Sequence, residues 1–76
     1  MTKRCVFTVK WDADRLRWVA RDDEGNMLGL HYSQASALGI AYGEAVRTRA
    51  AVEIAIKLFP AKGRVRIDRV VKGMKQ

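Results

Sequence analysis

Two runs of alternating apolar and polar residues lie near the C-terminal end of the chain. The first is Val52–Phe59, the second is residues 64–71, and a short segment containing Pro60 and Gly63 separates them. A period of two places one set of side chains in a core and the other set in solvent, which is typical of β-strands. The pattern predicts a hairpin whose second strand presents Arg64 and Arg66 on its outward face.

The first half of the chain predicts three further strands in a meander. Residues 4–11 and 16–21 are rich in β-branched and aromatic types, and residues 27–32 follow with a similar composition. The segments between them, 12–15 and 22–26, hold the carboxylates, glycine and asparagine that favour turns. We therefore expect three consecutive antiparallel strands.

A helix is predicted after the meander, with Ser33 or, less favourably, Ser36 as its N-cap. Its apolar stripe at helical spacing comprises Ala35, Leu38, Ala41, Tyr42, Ala45 and Val46. Gly39 and Gly43 each cost a helix up to about 1 kcal/mol relative to alanine. We therefore expect close packing at these two glycines to compensate for that cost.

Residues 50–59 allow a second interpretation. A heptad-like stripe also runs from Leu38 to Phe59, so one long helix that ends before Pro60 is the alternative. Arg49 interrupts that stripe, and β-branched residues recur on one strand face from Val52, which favours a strand.

The predicted fold is α+β: a small two-layer sandwich in which one helix packs on one face of a mostly antiparallel sheet. The sheet has four or five strands, and the element order is β-β-β-α-β-β. A chain of 76 residues is one domain, 1–76, for which we expect a flexible basic tail at 72–76.

The net charge of +7 is unevenly distributed. Residues 1–38 carry six basic and five acidic side chains, whereas residues 39–76 carry nine basic and three acidic ones. A one-sided positive field attracts polyanions or acidic protein surfaces. No apolar run is long enough to span a membrane, and none follows Lys3 and Arg4 as in a secretory leader. We therefore expect a cytoplasmic protein.

Residues suited to catalysis or metal binding are few. The chain has one cysteine, Cys5, and one histidine, His31, and neither has an evident partner in the sequence. The acidic residues fall in two turns without the ligand spacing of a calcium loop, and the glycines form no phosphate-binding motif. We expect no enzyme activity, no cofactor and no metal.

Aromatic side chains on an exposed sheet could stack on nucleic-acid bases. The alternation places Trp18 on one face with Leu16 and Ala20, and it places Trp11 beside Phe7 and Val9 on its own strand. Both tryptophans are therefore expected in the core or at its edge. Tyr32 remains as a third aromatic residue to consider.

The basic residues near the C-terminus carry the functional prediction. Arginine forks suit phosphate, and a two-stranded ribbon fits a DNA major groove, although nothing marks base specificity. We expect a nucleic-acid-binding surface, for DNA or RNA, formed by Lys62, Arg64, Arg66, Arg69 and Lys72. The alternative partner is an acidic protein surface. The small core also favours a homodimer, for example through an edge strand.

Two segments resemble short bacterial and phage proteins. VFTVKWDADRLRWVARDDEGNMLGL and SQASALGIAYGEAV resemble the opening hairpin and the alanine-rich helix of HicB-like antitoxins, although Asn26 and Met27 replace the usual Pro-Gly segment. AVEIAIKLFPAKGRVRID resembles the end of an uncharacterised family, with a longer turn. The first resemblance implies a toxin partner and, where a DNA-binding domain is added, autoregulation; no such added domain is present in this sequence. The alternative function is thus a protein-interaction module, antitoxin-like or a phage-encoded inhibitor of a host protein.

Overall fold

A computed structural model of the chain describes residues 3–48 and 52–73. It contains five strands and one helix: β1 (Lys3–Asp12), β2 (Arg17–Arg21), β3 (Met27–His31), α1 (Gln34–Thr48), β4 (Val52–Phe59) and β5 (Arg66–Val71). The strands form one sheet in the order β3-β2-β1-β4-β5, and α1 packs on one face of it. The α+β prediction is confirmed, and the strand from Val52 excludes the long helix.

The sheet is mixed rather than wholly antiparallel. Its central pair, β1 with β4, is parallel, whereas the β1–β2, β2–β3 and β4–β5 pairs are antiparallel. A parallel pair needs a long crossover connection, and here α1 lies within that connection. The alternating pattern of β4 reports which residues are buried but carries no information about the direction of its neighbour.

The core lies between α1 and the sheet. Its largest fully buried side chains are Val9, Ile54, Ile56 and Leu58, all on the two central strands. From α1 the buried residues are three alanines, Ala37, Ala41 and Ala45. Small side chains on this stripe let the helix backbone approach the sheet closely. The predicted stripe was correct for Ala41 and Ala45, which are buried, and for Leu38 and Val46, which pack against the core. It wrongly included Ala35 and Tyr42, which are exposed, and omitted Ala37.

The start of α1 follows the predicted capping. The backbone N–H of Ser36 donates to Ser33 Oγ at 3.0 Å, and the N–H of Ala37 donates to the carbonyl of Ser33 at 3.1 Å. Ser33 is therefore the N-cap, since its hydroxyl satisfies a backbone donor that the first turn leaves without a partner.

The close approach between helix and sheet occurs at a different glycine from the ones expected. A Cβ on Gly29 of β3 would lie 3.2 Å from Ile40 of α1, tighter than ordinary van der Waals contact. Nothing in the described part of the chain lies within 4 Å of a Cβ built on Gly39 or Gly43. The expectation that these two glycines pack closely is therefore wrong.

The strand β5 begins at Arg66, so Arg64 lies in the connection before it and not on the strand. Arg66 is directly opposite Leu58, and Ile67 is opposite Lys57; the register shifts between Ile56 and Lys57, where Asp68 is the extra residue on β5. Directly opposed residues share a sheet face. Arg66 is therefore on the side of α1, where it is exposed because α1 packs mainly over β1, β2 and β3. Ile67 is exposed on the other face, which α1 does not cover.

Candidate nucleic-acid interface

An exposed segment connects β4 to β5 and continues into the first half of β5. Every residue from 61 to 69 is exposed, and we call this segment the basic arm. Its charged side chains are four cations and one carboxylate, giving a net charge of +3: Lys62, Arg64, Arg66, Arg69 and Asp68. Gly63 has a φ of +99°, so a left-handed residue makes the turn.

Two arginines of the basic arm have intramolecular contacts. Arg66 Nη2 lies 3.9 Å from Asp68 Oδ1, and both side chains remain accessible to solvent. The guanidinium of Arg69 lies 4.6 Å from the ring centroid of Tyr42 on α1. A cation over an aromatic ring is held in place while its N–H groups stay free for other acceptors. Both arginines thus project on the helix side of β5.

Lys72, the fifth residue of the predicted site, lies apart from the basic arm. It follows β5, and its Nζ forms an ion pair with Glu53 Oε1 of β4 at 3.1 Å. This contact ties the first residue of the predicted tail to the sheet, and residues 74–76 of that tail lie outside the described part of the chain. The structure therefore brings Lys62, Arg64, Arg66 and Arg69 into one segment but not Lys72.

A shallow groove adjoins the basic arm between α1 and β5. Its volume is about 210 Å³, and it is lined by Leu38, Gly39 and Tyr42 of α1, with Ala35, Ile56, Asp68 and Arg69. The groove exists because α1 is centred over the other side of the sheet and touches β5 only slightly. It places the half-buried Leu38 next to the stacked Arg69, with the buried Ile56 beneath.

The face of the sheet away from α1, which we call the open face, carries a second basic group. On it, Lys10 of β1 is directly opposite Val19 of β2 and Phe59 of β4. The ammonium groups of Lys10 and Lys57 lie 5.7 Å and 5.5 Å from the Phe59 ring centroid. Sequence reasoning missed this cluster because it depends on the parallel register of β1 with β4.

Of the two tryptophans expected in the core or at its edge, Trp18 is in the core, whereas Trp11 is exposed. Trp18 is buried at 8% exposure, and Trp11, 38% exposed, packs edge-on against it with ring centroids 5.7 Å apart. Tyr32 is 71% exposed, but the guanidinium of Arg17 stacks 3.6 Å from its centroid and donates to its hydroxyl. One face of Tyr32 is therefore already covered.

The acidic turns use their carboxylates to order the backbone. Asp12 accepts from the N–H groups of Asp14 and Arg15 and from the Arg15 guanidinium, at 2.9, 3.2 and 2.7 Å. The hydrogen bond from the Arg15 side chain is the main reason that the pKa of Asp12 lies below its ordinary value. No cluster of three metal-ligating side chains occurs in residues 3–48 and 52–73.

Asp22 has the same role in the turn between β2 and β3. Its Oδ1 accepts from the N–H groups of Glu24 and Asn26, at 3.0 and 2.8 Å. Partial loss of water raises the pKa of Asp22, but hydrogen bonds from the backbone and side chain of Asn26, with those from Glu24 and Gly25, outweigh this effect and lower it.

His31 and Cys5 both have structural contacts. The Nδ1 of His31 accepts from the backbone N–H of Ser33 at 3.2 Å, which links the end of β3 to the start of α1. Cys5 is half-buried and packs against the core.

Compared with protein-family models, curated proteins and solved structures, the chain matches none. The resemblances to HicB-like antitoxins and to the second family therefore stay predictions. No helix in the described ranges is long and apolar enough to cross a membrane.

Proposed function

We propose that this protein is a non-enzymatic binding module that contacts nucleic acid through the basic arm. The observation that carries the proposal is the uninterrupted exposure of residues 61–69, in which four cations accompany one carboxylate. Surface charge that a fold does not use for its own packing is available to a polyanion, and arginine forks fit phosphate oxygens in pairs.

The contacts of the basic arm favour the phosphate backbone as the target. Lys62 and Arg64 lie in a connection, and Arg66 and Arg69 lie on the helix side of an edge strand, so all four can follow a phosphate strand. The aromatic residues nearby do not offer a free stacking plane, since Tyr42 already carries Arg69. We therefore expect binding with little sequence preference.

The salt dependence of the binding constant reports how many phosphates the protein neutralises. Each phosphate neutralised contributes about −0.9 to the slope of log K against log salt for duplex DNA and about −0.7 for a single strand. Four arm cations should therefore give slopes of roughly −3.6 and −2.8, respectively. The test is a fluorescence-anisotropy titration of nuclease-treated protein against duplex DNA, single-stranded DNA and RNA at several salt concentrations.

Two variants make the test specific. In Arg64→Glu/Arg66→Glu we expect loss of measurable binding, because two contacts become repulsive. Arg47→Glu on α1 is the control for the single variant Arg64→Glu: both arginines are exposed, and both changes alter the net charge equally. Equal weakening by these two single variants would show that only overall charge matters, and tight binding by the double variant would refute the proposal.

A protein-interaction module, antitoxin-like or a phage-encoded inhibitor, is the second candidate. The observation that favours it is that, within residues 3–48 and 52–73, both outer strands of the sheet, β3 and β5, have one edge without a neighbouring strand. Such edges accept an additional strand from a partner or from a second copy of this chain. The proposed homodimer through an edge strand belongs to this candidate.

A further inference from the structure

The open face is the larger surface that the basic arm does not use. It carries exposed apolar side chains on three strands, Val6 of β1, Met27 and Leu30 of β3 and Ile67 of β5, whereas α1 covers much of the other face. Val19 and Ala55 form its floor, at 3% and 1% exposure. The two strand arginines of the arm project on the opposite side of the sheet, so the open face is a separate surface.

Three cations, Lys10, Lys57 and Arg21, lie on the open face. Lys10, Lys57 and Arg21 form no ion pair with any residue that the structure describes, whereas the Asp12 carboxylate at the edge of this face is engaged by Arg15. Lys10 and Lys57 instead lie over the ring of Phe59. The face thus combines an apolar floor with positive charges that its nearby carboxylates, Asp12 and Glu53, do not pair with, since Asp12 pairs with Arg15 and Glu53 with Lys72.

A recess lies on this face between the end of β1 and β2, next to Lys10 and Arg21. It has a volume of about 280 Å³, is floored by Val19, and has Lys10 and Arg21 on its rim together with Trp11, Asp12 and Ala13. A recess of this size accepts one large aliphatic or aromatic side chain, and a carboxylate next to that side chain would reach either cation.

Charge and shape together select the occupant. A second copy bound face to face would oppose Lys10, Lys57 and Arg21 with their own counterparts, which costs free energy. A single-stranded nucleic acid needs stacking planes, but most of the exposed apolar side chains are aliphatic and Phe59 is half-buried beneath two ammonium groups. A membrane binds to protruding apolar groups, whereas this face has a recess between β1 and β2.

We propose that the open face binds an acidic amphipathic protein segment, such as a helix with an apolar stripe flanked by glutamate or aspartate. The apolar stripe covers Val6, Leu30 and Ile67 and inserts one side chain over Val19. The acidic flanks pair with Lys10, Lys57 and Arg21. The bound helix would form the third layer opposite α1, because it buries the second face of the sheet.

The test uses two synthetic helical peptides with the same leucine stripe, one flanked by glutamate and the other by lysine. Each is titrated into ¹⁵N-labelled protein, and the amide shifts are followed by NMR. The glutamate peptide should shift amides of β1, β2 and β4 around Lys10, Val19 and Lys57, and the lysine peptide should not bind.

Variants then separate this surface from the basic arm. The double variant Lys10→Glu/Lys57→Glu should bind the glutamate peptide at least about tenfold more weakly than the unmodified protein does. It should also bind the lysine peptide, which the unmodified protein does not bind. Lys62→Glu/Arg64→Glu, which changes the net charge equally, should leave peptide binding unchanged while it weakens nucleic-acid binding. Binding of the lysine peptide by Lys10→Glu/Lys57→Glu would show that this variant is folded, so its weaker binding of the glutamate peptide could not be due to misfolding.

Four results would overturn the proposal: no binding of the glutamate peptide at millimolar concentration, equal binding of both peptides, amide shifts confined to α1 and the basic arm, or equal weakening by both double variants. Single-stranded DNA and anionic phosphatidylserine vesicles are titrated in the same way. If either shifts the open-face amides and the glutamate peptide does not displace it, the face binds that partner and the proposal is wrong.

Discussion

Single carboxylates determine the shape of the turns at the ends of β2. Asp22 accepts three hydrogen bonds from the turn that leads into β3, two from backbone N–H groups and one from the Asn26 side chain. Asp23, its neighbour in sequence, is exposed. The two residues look equivalent in the sequence, but only one of them is oriented towards the backbone donors.

Replacement of Asp22 by alanine should therefore lower the melting temperature at neutral pH, whereas Asp23→Ala should have little effect. The pKa of Asp22 is lower in the folded protein than its ordinary 3.8, so its contribution is present above that value and disappears as the pH falls through the folded pKa. The melting-temperature difference between the two variants should shrink below about pH 3.8. A difference that grows with acid would contradict this account.

At the scale of elements, two glycines lower the stability of α1, and no contact in the described structure compensates for this loss. Gly39 and Gly43 of α1 are exposed and have no neighbours within 4 Å of an added Cβ. Glycine in an exposed helix interior is less favourable than alanine by up to about 1 kcal/mol.

We expect Gly39→Ala and Gly43→Ala each to raise the free energy of unfolding by up to about 1 kcal/mol, measured by urea denaturation. Gly25→Ala is the control, and it should lower the free energy of unfolding, because Gly25 has a φ of +86° that alanine adopts only with strain. A loss of stability in either helix variant would mean that this face of α1 is packed against another surface in solution.

Strand positions were predictable because alternation and turn chemistry are local properties. Val52–Phe59 was predicted to the residue, and β1, β2 and β3 were predicted within one residue at each end. The direction of β4 relative to β1 was not predictable, because it depends on contacts between distant segments. The same limit applied to the candidate sites: the basic arm was readable from charge and turn residues, whereas the open-face cluster of Lys10, Lys57 and Phe59 required the register.

At the scale of the whole molecule, stability is concentrated on one side of the sheet. Ile56, on the side of α1, is 1% exposed, whereas Ile67, on the open face, is 47% exposed. Both isoleucines are on the β4–β5 hairpin, yet only the first contributes to the packed core.

The same substitution at these two positions should have different effects. Ile56→Ala should cost about 2–5 kcal/mol, which is a large part of the stability of a small domain, whereas Ile67→Ala should cost less than about 1 kcal/mol. Thermal denaturation followed by circular dichroism measures both. A comparable loss at Ile67 would indicate that the open face is covered in the isolated protein.

The parallel pairing of β1 with β4 has a consequence for the order in which the chain acquires structure. Cys5 pairs with Ile54 and Phe7 with Ile56, so the central strand pair joins residues 49 positions apart along the chain. Closing so long a segment is entropically costly and tends to slow folding. During synthesis, β4, the second neighbour of β1, is made only after residues 1–51. Until then its unpaired edge is open to intermolecular pairing and aggregation, so a fragment that ends before β4 should not be a stable subdomain.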